Sequence, residues 1–133
     1  MADCRIFLIG GEDDESGILS TTENEDGCCI SFAYRGRTID AEASDYFDAL
    51  CQIRLILEKE GLIPFCHGAS LNVYPSGMAR DMGAGLKAYK LTPGKHAKMA
   101  DLVDIFSQGP DVIPAFVGPQ REFYEEWINT AKS

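Results

Sequence analysis

The stretch CCISFAYRGRTIDAEASDYFDALCQIRLILEKEG, residues 28–61, changes its hydrophobic period halfway, and that change decides the fold class. In its first part Cys28, Ile30, Phe32 and Tyr34 fall on one side of a two-residue alternation. After Arg35-Gly36-Arg37 the alternation resumes, with Ile39, Ala41 and Ala43 set against Thr38, Asp40 and Glu42. Two alternating runs about a glycine turn predict a β-hairpin. The period then lengthens. Tyr46, Ala49, Leu50, Ile53, Ile56 and Leu57 form one helical stripe, with Ser44 placed to cap its start and Gly61 its end. The spacing predicts a helix over about 44–60.

Working outward, CRIFLIGG (4–11) reads as a strand ending in glycines. EDDESG and TTENEDG read as turn material around a short apolar piece, GILST. Downstream, LIPF, SLNVY and GLKAYKL (85–91) are extended segments. In KHAKMADLVDIF, Met99, Leu102, Val103 and Phe106 share a helical face before Gly109-Pro110, which predicts a helix over 96–107. Pro119 opens a last helix over 119–131, with Phe123, Tyr124, Trp127, Ile128 and Ala131 as its stripe. Residues 1–133 therefore read as one α+β domain: a single layer of mainly antiparallel sheet covered on one face by about three helices.

The composition, 45% hydrophobic and 25% charged, is that of a globular domain. No apolar run approaches the roughly 18 residues of a membrane helix. The start MADCRIFLIGGEDDE lacks the basic region of a secretory signal. Five cysteines, Cys4, Cys28, Cys29, Cys51 and Cys66, are odd in number and show no C-x-x-C spacing. Free thiols in a cytoplasmic setting are the expectation.

The net charge of −9 is unevenly spread. Residues 1–61 hold 14 acids and 5 bases, while residues 62–133 hold 7 of each. Within 76–98, Arg80, Lys87, Lys90, Lys95 and Lys98 face only Asp81, a local charge of +4. Such a chain is a poor partner for nucleic acid and a good one for a basic protein.

Motifs are few. Gly83-x-Gly85-x-x-Ala88 has the spacing of a relaxed dinucleotide fingerprint, but a polar loop precedes it and a strand-like run follows. Cys66 and His67 are adjacent, so in an extended segment they face opposite ways and form no nucleophile–base pair. The histidines and thiols show no zinc spacing, and the acids near Glu23 lack the closing glutamate of a calcium loop. No metal, cofactor or catalytic constellation is implied.

Two candidate sites remain. In the segment 66–90, Tyr74, Ser76, Gly77, Arg80, Gly83, Gly85, Lys87 and Tyr89 combine cations, flexible backbone, a hydroxyl and rings that suit an anionic small molecule. In the acidic half, Asp13, Asp14, Glu23 and Glu25 are candidate contacts for a basic partner. In gross properties alone the chain resembles the small standalone immunity and inhibitor proteins of bacteria. That resemblance implies an interaction protein that neutralises a basic partner. The alternatives are a small-ligand site or enzyme in 66–90, and a self-associating homodimeric domain docking through the aromatic stripe of the last helix.

Overall fold

The computed structural model describes residues 2–131. Strands β1 (Ala2–Ile9), β2 (Ser16–Asn24), β3 (Gly27–Tyr34) and β4 (Arg37–Ala43) form an antiparallel meander that leads into α1 (Tyr46–Glu58). A short β5 (Ile63–Pro64) pairs with the free edge of β1, so the order is β4-β3-β2-β1-β5. A second antiparallel sheet follows in the order β6-β7-β8, from β6 (Val73–Tyr74), β7 (Lys87–Lys90) and β8 (Leu102–Asp104). Helix α2 (Gly77–Gly83) joins β6 to β7, and α3 (Val117–Ala131) ends the described chain. The class is α+β, as the change of period predicts.

The hairpin of 28–43 closes through Arg35 and Gly36, both at positive φ (51° and 75°). That is the turn whose twist matches the flanking strands. The alternation sends Ile6, Leu8, Leu19, Cys28, Ile30, Phe32 and Tyr34 to one face, where all are buried. Helix α1 lies on that face, touching β3 and β4 on one side and β5 at the opposite edge, so the sheet curls around it. Gly17 assists this curl: a Cβ there would come within 2.4 Å of the Phe32 ring.

The N-cap of α1 is Asp45, whose carboxylate accepts from the Asp48 N–H at 2.7 Å, rather than Ser44. Its buried side includes Phe47 and Arg54, whereas Ile56 is exposed. The helix is covered from two sides, so its buried arc is wider and differently centred than a single stripe.

Three further expectations are corrected. The turn material around GILST is a nine-residue strand, β2, whose fixed inward positions are only Gly17 and Leu19. The strands do not all join one sheet, since β6, β7 and β8 pair among themselves. The helix over 96–107 is absent: Met99–Asp101 is one 3₁₀ turn, and Leu102–Asp104 is β8, paired Leu102 to Tyr89 and Val103 to Ala88. Long-range pairing overrides the local period there, and Ile105 rather than Phe106 reaches the core.

The C-terminal helix is fixed by a buried polar hub. Arg54 is 1% exposed, with no carboxylate among its hydrogen-bond partners. It donates instead to Gly68 O, Ala115 O and Gln120 Oε1, the last at 2.6 Å. Gln120 in turn donates from Nε2 to the carbonyls of Gly68, Ser70 and Val73, all at 2.9 Å. One amide thus joins α1, the 3₁₀ turn His67–Ala69, β6 and α3.

Candidate functional site

Within the 66–90 segment the structure separates the predicted residues. Ser76 caps α2, its Oγ accepting from the Ala79 N–H at 3.0 Å, and Gly77 and Gly83 are simply the ends of that helix. Gly85, at φ +72°, sits against Asp45; a Cβ there would come within 2.8 Å of its carboxylate. Arg80 reaches Asp45 at 3.0 Å and Asp48 at 2.8 Å, and its guanidinium lies over the rings of Phe47 and Tyr74. Burial works against its charge, but the bonds to Asp48 and Asp45 outweigh this and hold its pKa above the ordinary value. Two carboxylates already occupy this cation. Lys87 stands exposed, 4.0 Å from Asp104.

Tyr74, Ser76 and Tyr89 do come together. With Leu91, His96, Ala97, Tyr124 and Trp127 they line a cleft of about 300 Å³ between the small sheet and α3. The rings are organised: Tyr74 and Tyr124 stack at 4.1 Å and 15°, and Trp127 lies 6.2 Å from Tyr124 at 19°. The indole N–H donates to Lys95 O at 2.9 Å, which ties the 91–98 loop to α3. The sequence showed Tyr124 and Trp127 only as a helical stripe. Their meeting with β6 and β7 is tertiary.

The acidic candidates divide. Asp13 and Asp14 lie in the β1–β2 turn, whereas Glu23 and Glu25 lie at the other end of β2. Nine residues of strand put them roughly 27 Å apart. Asp14 lines a cleft of about 350 Å³ together with Phe7, Leu8, Ile9, Glu15, Phe65 and Gln108. This cleft opens on the face of the large sheet opposite α1. There Phe7, Ile9 and Ile18 are 39%, 42% and 40% exposed, and the strand register places Ala33 beside Ile18 and Ile63 beside Ile9. Further along the same face comes Arg5, opposite Ile18, and beyond it Asp3, Ser20, Ser31 and Asp40, so it passes from apolar through one cation to acidic.

A second hollow of about 350 Å³ on that face is lined by Arg5, Ile18, Arg35 and Arg37. Arg35 holds Glu15 through two hydrogen bonds, and Arg37 holds Glu60. The bond to Arg35 is the main reason the Glu15 carboxyl falls to about 2.

Cys66 and His67 do not form a pair. Cys66 is fully buried, and burial pushes its thiol up to about 11, which makes it inert. His67 has Nδ1 at 2.8 Å from Ser107 Oγ and Nε2 at 2.9 Å from Asp111 Oδ1. The Ser107 hydroxyl donates to Asp104 O at 2.6 Å, so its proton is directed away from the imidazole. This trio braces the 105–111 segment. The bond from His67 holds the Asp111 carboxyl below its ordinary pKa.

All five cysteines are free. Among the described residues no group of three or more His, Cys, Asp or Glu is placed to hold a metal ion, and no helix is long and apolar enough to cross a membrane. No protein-family model matches the chain, and no curated protein matches it.

Proposed function

We propose that this chain is an interaction domain that docks a basic protein on the open face of its large sheet, in the manner of an immunity or inhibitor protein. The observation that supports this reading is the exposure of Phe7, Ile9 and Ile18 on a face that no helix among the described residues covers, with Asp14 beside Phe7 and Ile9 in one cleft. Grouped apolar side chains of this size mark interaction surfaces more often than scattered ones do. Among the described residues, Asp13 and Asp14 have no cation within ion-pair distance, so their charge is available to a partner. Apolar contacts at the centre would supply affinity, and the carboxylates would steer the encounter.

The test is a binding comparison with a Lys- and Arg-rich partner isolated from the native host. Phe7→Ser/Ile9→Ser should weaken the complex at least ~10-fold by raising the dissociation rate. Asp14→Lys should mainly slow association and flatten its salt dependence. A partner that binds both variants as tightly as the parent chain would remove the sheet face from consideration. Sedimentation velocity of the free chain checks the competing occupant: self-association abolished by Phe7→Ser/Ile9→Ser would make this a homodimer surface.

A further inference from the structure

The aromatic cleft lies on the other sheet, and the docking proposal makes no use of it. Its walls are Tyr74, Tyr89, Tyr124 and Trp127, and none of its lining residues is acidic. Several constraints fix these walls before any ligand arrives. Tyr74 is wedged between Phe47, at 5.0 Å edge to face, and Tyr124, stacked at 4.1 Å. Trp127 is held by its bond to Lys95 O, and Gly94 N donates to Thr130 Oγ1 one helical turn away. A fixed, concave aromatic surface is a small-molecule site in form.

The charge around it narrows the ligand class. Of the basic island, Arg80 is held by Asp45 and Asp48, Lys87 lies near Asp104, and Lys90 near Asp111. Lys95 and Lys98 have no carboxylate within ion-pair distance among the described residues. These two lysines flank His96 and Ala97, which line the cleft. Aromatic walls accept a planar ring or a quaternary ammonium ion. Two lysines next in the chain to its lining residues His96 and Ala97 favour the anion-bearing ring and disfavour the cation. Polar side chains among the lining residues, Ser76, Tyr74 and Tyr89, supply orientation.

We propose that this cleft binds a small molecule made of a planar aromatic ring and an anionic group, the chemistry of a mononucleotide. The ring stacks on Trp127, and the anion is met by Lys95, His96 and Lys98.

Trp127 is the only tryptophan in the chain, so its fluorescence reports the site directly. The full chain is titrated with adenosine and guanosine monophosphates, with adenosine, with inorganic phosphate and with choline. Calorimetry runs alongside. At least one mononucleotide should quench Trp127 saturably with a Kd on the order of 1 mM or tighter. Adenosine should bind several-fold more weakly, and phosphate alone should leave the indole unchanged. Lys95→Glu/Lys98→Glu, two exposed changes compatible with the fold, should reduce mononucleotide affinity to that of adenosine. Trp127→Leu, followed by calorimetry, should cost at least ~10-fold.

The proposal is overturned by absence of saturable quenching with both nucleotides. Equal affinity for adenosine and its monophosphate overturns it, as does full binding to Trp127→Leu. Choline binding without nucleotide binding would replace it with an aromatic cage for quaternary ammonium. None of these outcomes bears on the sheet face, because Phe7→Ser/Ile9→Ser leaves the cleft residues untouched.

Discussion

From β1 to β4 the strands pair over six or seven residues at a time, and the hairpin loops between them are short. From β5 to β8 the ladders run to only two or three pairs. What takes their place is a set of named side chains. Gln120 satisfies three carbonyls, Arg54 two, His67 bridges Ser107 and Asp111, and Arg80 ties α2 to the start of α1. A ladder spreads its stability over many equivalent bonds, so one substitution costs little. A hub concentrates it. The two regions should therefore respond differently to single polar substitutions.

Gln120→Leu is the sharpest way to test that difference. It removes the only side-chain donor to Ser70 O and Val73 O that the structure shows and takes an acceptor from the buried Arg54 guanidinium. Leaving buried hydrogen-bonding groups unsatisfied costs about 1–3 kcal/mol, more where the group is charged, so urea unfolding should show a loss at the top of that range. Hydrogen exchange should accelerate first in the 66–74 segment, with β2 and β3 amides retaining their protection longest. A loss below about 1 kcal/mol, in the range of an ordinary surface change, would show that packing rather than the hub holds α3.

The same contrast governs what the sequence made legible. Residues 28–61 were readable because each position's burial follows from its neighbours: period two, turn, then period near 3.6. β2 was not, because Thr21, Thr22, Glu23 and Asn24 extend past its inward anchors, and their strand state comes from pairing with β3. β8 was misread because Met99, Leu102, Val103 and Phe106 fit a helix locally, and only the ladder to Tyr89 and Ala88 excludes one. The site behaves likewise. Tyr74, Ser76 and Tyr89 sit within one short segment and were accessible to reasoning about it. Tyr124 and Trp127 join them across about fifty residues of chain, with no local signal. Arg54 carries no local sign of burial, and nothing before the fold is known shows that two backbone carbonyls and the Gln120 amide oxygen converge on it.

Cys66 offers a subtler probe of the side-chain-held region. Its thiol is raised by burial from 9.0 to about 11, so stability is whole below the unfolded value and is lost as pH climbs toward the folded one. Between those limits the unfolded chain releases a proton that the folded chain keeps. The slope should approach 1.4 kcal/mol per pH unit at most. Cys66→Ala should be less stable at neutral pH because of the cavity, yet its urea midpoint should fall less steeply over pH 9.0 to 11. Parallel curves for the two proteins would mean that water reaches this thiol.

The smallest expected effect lies at the junction of the two regions, where one guanidinium serves two carboxylates in different settings. The Asp45 side chain is 6% exposed, caps α1 through the Asp48 N–H and packs against Gly85. That of Asp48 is 50% exposed and has water as an alternative partner. Replacing each with Asn keeps shape and removes charge. Asp45→Asn should cost about 1–2 kcal/mol, since the half-buried Arg80 loses the partner that water cannot replace. Asp48→Asn should cost about 0.5 kcal/mol or less, as expected of a solvent-screened pair. The cost of Asp48→Asn should shrink further in high salt, while that of Asp45→Asn should persist. Equal costs for the two would imply that Arg80 joins the regions chiefly by its stacking on Phe47 and Tyr74, in which case Arg80→Met would be nearly silent.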